Sequence, residues 1–413
     1  MPLEKTDESS LIIAITEAIQ NGTASKRGLV LPEEWGKNTY KLLSESAQKH
    51  FKKVLDDGGL EAFILRELNY NYRLSGDELP ANKIRIAEMP SFLDALATAK
   101  KITALLSSLP RQYRMIVRGP AELGDRLNRS DVNIKISDRL TLISGALISD
   151  NFKVSHENDS INKFIKTSNS DEKVPNSFDD NSLYFEYRTS GCISDRTDTK
   201  IVRDFFEAIR SFYGAAMALE IIDNFDHKQQ NLIPWVVANE LRDDDSELCY
   251  IARSDDDIIK ATNIATTIDY DKIIDEKSEE LEKSISPIVK MFSSKDGHKL
   301  TTAAIWIFRA NLSSRPMDTI LESTIAIEVL LGDRETSDRI GLSKLMANRC
   351  AYALGKSFSE RKDIIDFFVE FYKVRSDIVH NGKFRLEDGE KNVVDKGLTL
   401  SQRILRHEIN LLN

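Results

Sequence analysis

The spacing of apolar residues changes twice along this chain of 413 residues, and the two changes predict three successive kinds of structure. Up to about residue 110 the apolar residues recur at helical intervals. They do so in segments 11–22, 32–59 and 94–109. These segments end at Asn-Gly, at Gly-Gly and before Pro110, which are common helix stops. The first part of the chain is therefore predicted to be mostly helical.

The middle of the chain has the pattern of a β-sheet. Six segments are rich in β-branched or aromatic residues and are bounded by turn-forming residues, which predicts strands. They are residues 114–119, 132–136, 140–148, 182–191, 235–239 and 248–253. A polar segment at 166–182 is predicted to be a long surface loop, and an amphipathic pattern at 204–225 predicts a helix.

Helical spacing returns at residues 271–292, and no convincing strand pattern follows it. The predicted fold class is therefore α+β, with a mixed N-terminal region followed by an all-α helical bundle. We place the N-terminal region at residues 1–285, with a further division near residue 110. The helical domain is placed at residues 286–413.

Charge is unevenly distributed along the chain. The whole sequence has 57 Lys and Arg against 66 Asp and Glu, a net charge of −9, which does not suit a general nucleic-acid coat. Residues 286–413 alone carry a net +3, so the rest of the chain carries −12. The difference suggests a functional division, although solvated charged faces would produce the same pattern.

Several classes of protein are not supported. The chain starts without a signal-peptide pattern and has no run of about 18 apolar residues, so we expect a cytoplasmic protein without a membrane partner. The three cysteines, Cys192, Cys249 and Cys350, are far apart and predict neither disulfides nor a zinc cluster. No GxSxG or HExxH motif occurs. Asp223, Asp226 and His227 could in principle bind a metal, but such a group near a helix end is usually polar surface. No metal or cofactor is predicted.

One helical segment, residues 363–380, contains an anomaly. With Ile364 set at zero and 100° per residue, Phe368, Phe371 and Ile378 fall within about 40° of it, which predicts a buried stripe. Arg375 falls at about 20°, in the middle of that stripe. A guanidinium there costs several kcal/mol unless it is paired or opens into a cleft.

The same segment ends with a titratable group. Gly382 is well placed as the left-handed residue that ends the helix, with Asn381 as the cap. His380 then lies in the last turn, where the carbonyl dipoles favour an imidazolium. One helix end therefore presents a permanent cation and a group that exchanges a proton near neutral pH.

A carboxylate upstream is the predicted partner of that cation. The segment 320–332 is apolar on nearly every face, and Glu328 shares the side of Leu321 and Ile325. In one interpretation Glu328 and Arg375 form a buried ion pair with no chemistry. In the other, Glu328 orients Arg375 while Arg375 and His380 act on RNA.

These residues resemble a known family. Arg375 and His380 fit the Arg-x4–6-His signature of HEPN domains, and the context around them resembles the Apea-like branch. That context is IEVLLG at 327–332 and YKVRSDIVHNG at 372–382. Position 381 is Asn, where Gly is more usual in that family. The similarity covers about residues 300–413 and says little about the first 280.

The resemblance implies a four- or five-helix bundle that often dimerises, bringing two Arg/His motifs together. It further implies a metal-independent endoribonuclease of a toxin, abortive-infection or other antiviral system, with RNA as its substrate. His380 would transfer protons and Arg375 would bind the phosphate through two parallel donors. Asp377, Ser376 and Asn381 would support or orient them. The acidic N-terminal region would respond to a protein or ligand trigger.

On one ideal helix, however, Arg375 and His380 point about 140° apart. Convergence needs an unwound helix end, the long reach of Arg, or a second subunit, and we favour the homodimer. Two other functions stay open. One is a non-catalytic HEPN module that binds nucleotide, RNA or a protein. The other is an unrelated enzyme sited in the N-terminal region.

Overall fold

The computed structural model describes residues 3–55, 59–75, 77–120, 132–149, 178–180, 182–193, 199–222, 235–241, 246–262, 278–332 and 341–412. Within these ranges the chain forms fourteen α-helices and two antiparallel sheets, and the predicted α+β class is confirmed. The helices follow the mixed region and occupy the whole described C-terminal part, as the sequence pattern predicts.

The described residues up to 109 form a helical unit around one hydrophobic cluster, which Cys192 also joins. The helices are α1 (Lys5–Asn21), α2 (Trp35–Leu42), α3 (Glu45–Val54), α4 (Gly59–Leu74) and α5 (Ala95–Ser107). A small sheet joins β1 (Thr23–Ser25), β2 (Gly28–Val30) and β3 (Ile84–Arg85) in the order β2-β1-β3. The sequence pattern does not predict this sheet, because strands of two or three residues are too short to show an alternating pattern.

The single helix predicted over 32–59 is wrong, since the chain breaks between α2 and α3. Asp7 on α1 accepts hydrogen bonds from the backbone N and the Oγ of Ser44, at 2.8 and 2.7 Å. Ser44 in turn caps α3 by accepting from the backbone N of Ala47. This contact spans 37 residues of sequence, so helical spacing alone could not reveal it.

The six predicted strands form one antiparallel sheet in the order β5-β6-β7-β4-β8-β9. They are β4 (Arg111–Arg118), β5 (Asn133–Lys135), β6 (Leu140–Ser144), β7 (Leu183–Gly191), β8 (Trp235–Leu241) and β9 (Ser246–Arg253). In the central pair Met115 faces Tyr187. The predicted strand 140–148 stops at Ser144, and α6 (Gly145–Ser149) follows. The predicted loop at 166–182 lies mostly outside the described residues.

Helix α7 (Lys200–Ala218) covers one face of this sheet. It corresponds to the helix predicted at 204–225. Ring contacts join the two, with centroids 5.0 Å apart for Phe185 and Phe212 and 5.5 Å for Tyr187 and Phe205. The helix ends early because Glu220 adopts a positive φ of 60°. Alternate strand residues face the other side, where Arg114 and Glu186 form a buried ion pair at 2.7 Å.

The remaining elements are helices. They are α8 (Asp256–Thr262), α9 (Ser278–Ser293), α10 (Gly297–Leu312), α11 (Pro316–Leu331), α12 (Leu342–Leu354), α13 (Phe358–Asn381) and α14 (Asp388–Asn410). The predicted helix 271–292 corresponds to α9, and its first residues lie outside the described ranges. Within those ranges every helix is too short or too polar to cross a lipid bilayer.

One hydrophobic cluster contains side chains from the sheet, from α7 and from the C-terminal helices. The backbones of α7 and α10 approach closely, since a Cβ built on Gly214 would lie 1.9 Å from the carbonyl oxygen of Ala304. The proposed division at residue 285 falls inside α9, and the division of the chain into domains stays a prediction. The bundle that carries Arg375 and His380 packs against α7, which in turn covers the sheet.

Candidate active site at the end of helix α13

Helix α13 carries five of the six predicted site residues, and local sequence explains both of its ends. Ser357 and Glu360 form a reciprocal capping box, so the helix begins five residues before the predicted start at Asp363. At the other end Gly382 has a φ of 64°, as predicted for the left-handed residue. His380 lies in the last turn, as predicted.

The buried side of α13 is close to the predicted stripe. Phe368 and Phe371 are fully buried and Val374 nearly so, while Ile364 and Ile378 are half-buried against the same core. Arg375 is half-buried on this side. His380 is exposed to solvent, because it lies on the opposite side of the helix. The two predicted catalytic side chains therefore have different environments.

Arg375 is stabilised by an aromatic ring. Its Cζ lies 5.5 Å from the centroid of the Tyr372 ring, within the range of a cation–π interaction. It forms no ion pair with any residue that the structure describes, and its Nε is buried without a hydrogen-bond partner there. A buried donor of this kind costs about 1–3 kcal/mol. The described residues therefore leave one donor of the guanidinium unused.

The interpretation in which Glu328 and Arg375 form a direct ion pair is wrong, and Tyr372 contacts both residues instead. The Tyr372 hydroxyl donates to Glu328 Oε1 over a long 3.4 Å. Burial raises the pKa of Tyr372, with the Glu328 charge adding to the rise and Arg375 opposing it. The phenol therefore keeps its proton at neutral pH and connects the carboxylate on α11 to the guanidinium on α13.

Asp377 and Asn381 hold the helix end together. Asn381 Nδ2 donates to Asp377 Oδ1 at 2.9 Å. The carbonyl oxygen of Asp377 accepts from the backbone N–H groups of Gly382 and Lys383, the latter at 3.2 Å. These contacts make Asp377 and Asn381 positioning residues for the turn that follows His380. Ser376 is half-buried on the same turn.

The structure limits how Arg375 and His380 can act together. The α-helix is continuous through Asn381, so the unwound end that would let the two side chains converge is not present. Along a regular helix they remain about 140° apart. A site that uses both groups on one phosphate needs either the full reach of Arg375 or a second copy of the chain.

The described residues contain no group of three or more His, Cys, Asp or Glu side chains arranged to hold a metal ion. Cys192 and Cys350 are buried free thiols. The segment with Asp223, Asp226 and His227 lies outside the described residues.

Comparisons with protein-family models, with curated proteins and with solved structures give no match to this chain. The likeness to HEPN domains therefore rests on the residues themselves and on the helix end described above.

Tyr372 is the residue that the sequence analysis missed. It precedes Arg375 by three positions, which are neighbours on a helix surface, so its ring could have been expected beside the guanidinium. The signal was available in the spacing, but an aromatic residue at that position also fits an ordinary core stripe.

Proposed function

We propose that this protein is a HEPN-type, metal-independent endoribonuclease that acts as a homodimer in the cytoplasm, as a toxin or antiviral effector. The observation that carries the proposal is the helix end itself. An exposed imidazole and an unsatisfied guanidinium lie five residues apart, beside a left-handed glycine that ends the helix. The N-terminal region would serve as the sensor or brake.

The proposed reaction is an internal transesterification of RNA. The 2′-oxygen bonds to phosphorus, the bond to the 5′-oxygen breaks, and a cyclic phosphate is left on the upstream fragment. The 2′-hydroxyl loses its proton to a base and the 5′-oxygen gains one from an acid. His380 would take both roles in turn, accepting the proton from the 2′-hydroxyl and giving it to the 5′-oxygen. Arg375 would bind the non-bridging oxygens and stabilise the charge that builds up there.

Catalysis is tested with His380→Ala. Removing a general acid or base is expected to lower RNA cleavage at least a hundredfold. Because His380 is exposed, the melting temperature should stay unchanged. The matched control is His298→Ala, an exposed histidine in the first turn of α10, which should cleave as the parent protein does. Cleavage that persists in His380→Ala contradicts the proposal.

Arg375 requires two variants, because it is half-buried and its Nε is fully buried. Arg375→Lys keeps the charge and most of the stem but loses the two parallel donors, so activity should fall while the fold is retained. Arg375→Ala should lose activity and some stability. If Arg375→Lys cleaves normally, the phosphate-binding role is wrong.

A non-catalytic HEPN module that binds nucleotide, RNA or a protein is the second candidate. It is favoured by the 140° divergence of the two side chains on a continuous helix. RNA binding by the wild-type protein with no cleavage at any protein concentration would select it.

A further inference from the structure

An exposed aromatic residue follows the proposed catalytic helix end. Phe384 lies in the loop between α13 and α14, with 84% of its surface exposed, and takes part in none of the ring contacts found among the described residues. It follows His380 by four positions, so the two Cα atoms can be no more than about 14 Å apart. Val379, beside His380, is also exposed.

The loop that displays Phe384 is fixed on both sides. Before it, the backbone N–H of Lys383 donates to Asp377, and the Lys383 ammonium pairs with Glu390 on α14. After it, Leu386 is buried and the backbone N–H of Glu387 donates to Glu390 at 2.9 Å. Phe384 is thus presented to solvent by an anchored turn.

Phe384 lies between two basic residues in the sequence, Lys383 and Arg385, and Lys383 is paired with Glu390. Residues 372–386 contain four basic side chains and one acidic side chain, and acidic residues follow at 387, 388 and 390. Arg385 is exposed and forms no ion pair with any described residue. An exposed ring beside an unpaired guanidinium is the combination that binds single-stranded nucleic acid, because the ring stacks on a base and the cation binds a phosphate.

We propose that Phe384 and Arg385 form a binding site for an unpaired nucleotide of single-stranded RNA. The nucleobase stacks on the Phe384 ring, and the adjacent phosphate lies on the Arg385 guanidinium. The inference rests on the proposed function, which makes RNA the ligand. It adds that the substrate RNA is single-stranded next to the cleaved bond. Duplex RNA, whose bases are already stacked, cannot use the ring.

The same helix supplies a matched control. Phe358, in the first turn of α13, is 86% exposed and about 33 Å from His380 along the helix axis. Its nearby Arg361 is engaged, since its Nε donates to the carbonyl of Gly355 at 3.1 Å and its Cζ lies over the Tyr352 ring. Phe358 therefore matches Phe384 in residue type and exposure but not in its surroundings.

The test measures fluorescence anisotropy with a short, labelled, single-stranded 2′-O-methyl RNA. This probe has no free 2′-hydroxyl and cannot be cleaved by the proposed route, so binding is read separately from catalysis. Phe384→Ala is expected to weaken binding roughly tenfold and Phe384→Trp to retain it. Phe358→Ala should bind as the parent does. Arg385→Ala should reduce the slope of log affinity against log salt by about 0.7, the value for one phosphate on a single strand.

Three binding results would overturn the inference: RNA binding unchanged by Phe384→Ala, RNA binding weakened as much by Phe358→Ala as by Phe384→Ala, or equal affinity of the parent protein for duplex and single-stranded RNA. A fourth is a Phe384→Ala variant that loses dimerisation while its RNA affinity stays unchanged. The last result would make Phe384 a contact between copies of the chain. The experiment distinguishes failure of this inference from failure of the proposed nuclease activity. A protein whose binding depends on Phe384, but whose cleavage does not depend on His380, keeps this inference and loses the nuclease.

Discussion

At the scale of single residues, Arg375 is held by an aromatic ring where a carboxylate was expected. The ring of Tyr372 lies under the guanidinium, and its hydroxyl contacts Glu328. A direct ion pair would neutralise Arg375 and leave little of its charge for a substrate. The arrangement with Tyr372 fixes the side chain while leaving the Nε donor without a protein partner among the described residues.

This arrangement predicts that Tyr372 and Glu328 act through one contact. Tyr372→Phe removes only the hydroxyl, and Glu328→Gln removes only the charge. Each is expected to lower cleavage severalfold, and the double variant should be no worse than the more damaging single variant, because both changes remove the same contact. The measurement is a double-mutant cycle on cleavage rates, with melting temperatures as the control. Strictly additive effects would show that the two residues act independently.

At the scale of elements, the position of α13 depends on its contact with α14. A Cβ built on Gly397 would lie 2.0 Å from Cε2 of Phe371, which is fully buried and one turn before Arg375. The absence of a side chain at position 397 lets the two helices approach closely. The orientation of the Arg375 turn therefore depends on a glycine on a different helix.

Gly397→Ala is accordingly expected to destabilise the protein by about 1–3 kcal/mol, because the buried Phe371 ring has to move. Cleavage should also fall, since Phe371 supports the turn that carries Arg375. Gly389→Ala is the control on the same helix, because a Cβ there meets nothing within 4 Å. Its stability should be equal or slightly higher, as Ala favours helix over Gly. Denaturant unfolding measures the stability of both variants. A Gly397→Ala variant as stable as the parent protein would contradict the close contact.

At the scale of the whole molecule, one chain does not bring the two proposed catalytic groups, Arg375 and His380, together. Helix α13 is regular through Asn381, and its two side chains diverge by about 140°. A two-fold axis near this helix end would place Arg375 of one subunit beside His380 of the partner subunit. Activity would then depend on protein concentration, and the isolated monomer should be a poor nuclease.

Complementation between variants tests this composite site. Arg375→Ala and His380→Ala are each expected to be inactive alone. When equal amounts of the two variants exchange subunits, half of the dimers contain one copy of each. Each mixed dimer has one intact site out of two, so activity should recover to about a quarter of the wild-type value. Light scattering verifies that both variants dimerise. No recovery from variants that do dimerise and exchange would show that the site is not shared between subunits.

The sequence by itself determined the features that follow local rules. The all-helical C-terminal part was predicted from apolar spacing, and the six strands from β-branched and aromatic residues between turn formers, because both patterns follow local preferences. The left-handed Gly382 and the place of His380 in the last turn were also predicted, since helix ends depend on a few adjacent residues. The α13 start was missed by five residues, although its capping box is local as well.

Contacts between distant residues were decided by the tertiary structure alone. The break between α2 and α3 depends on Asp7 and Ser44, which are 37 positions apart. The insertion of Tyr372 between Glu328 and Arg375 depends on how α11 and α13 pack. The order of the six strands depends on pairing between segments far apart in the chain. Such choices arise from the packing of side chains that a one-dimensional pattern does not bring together.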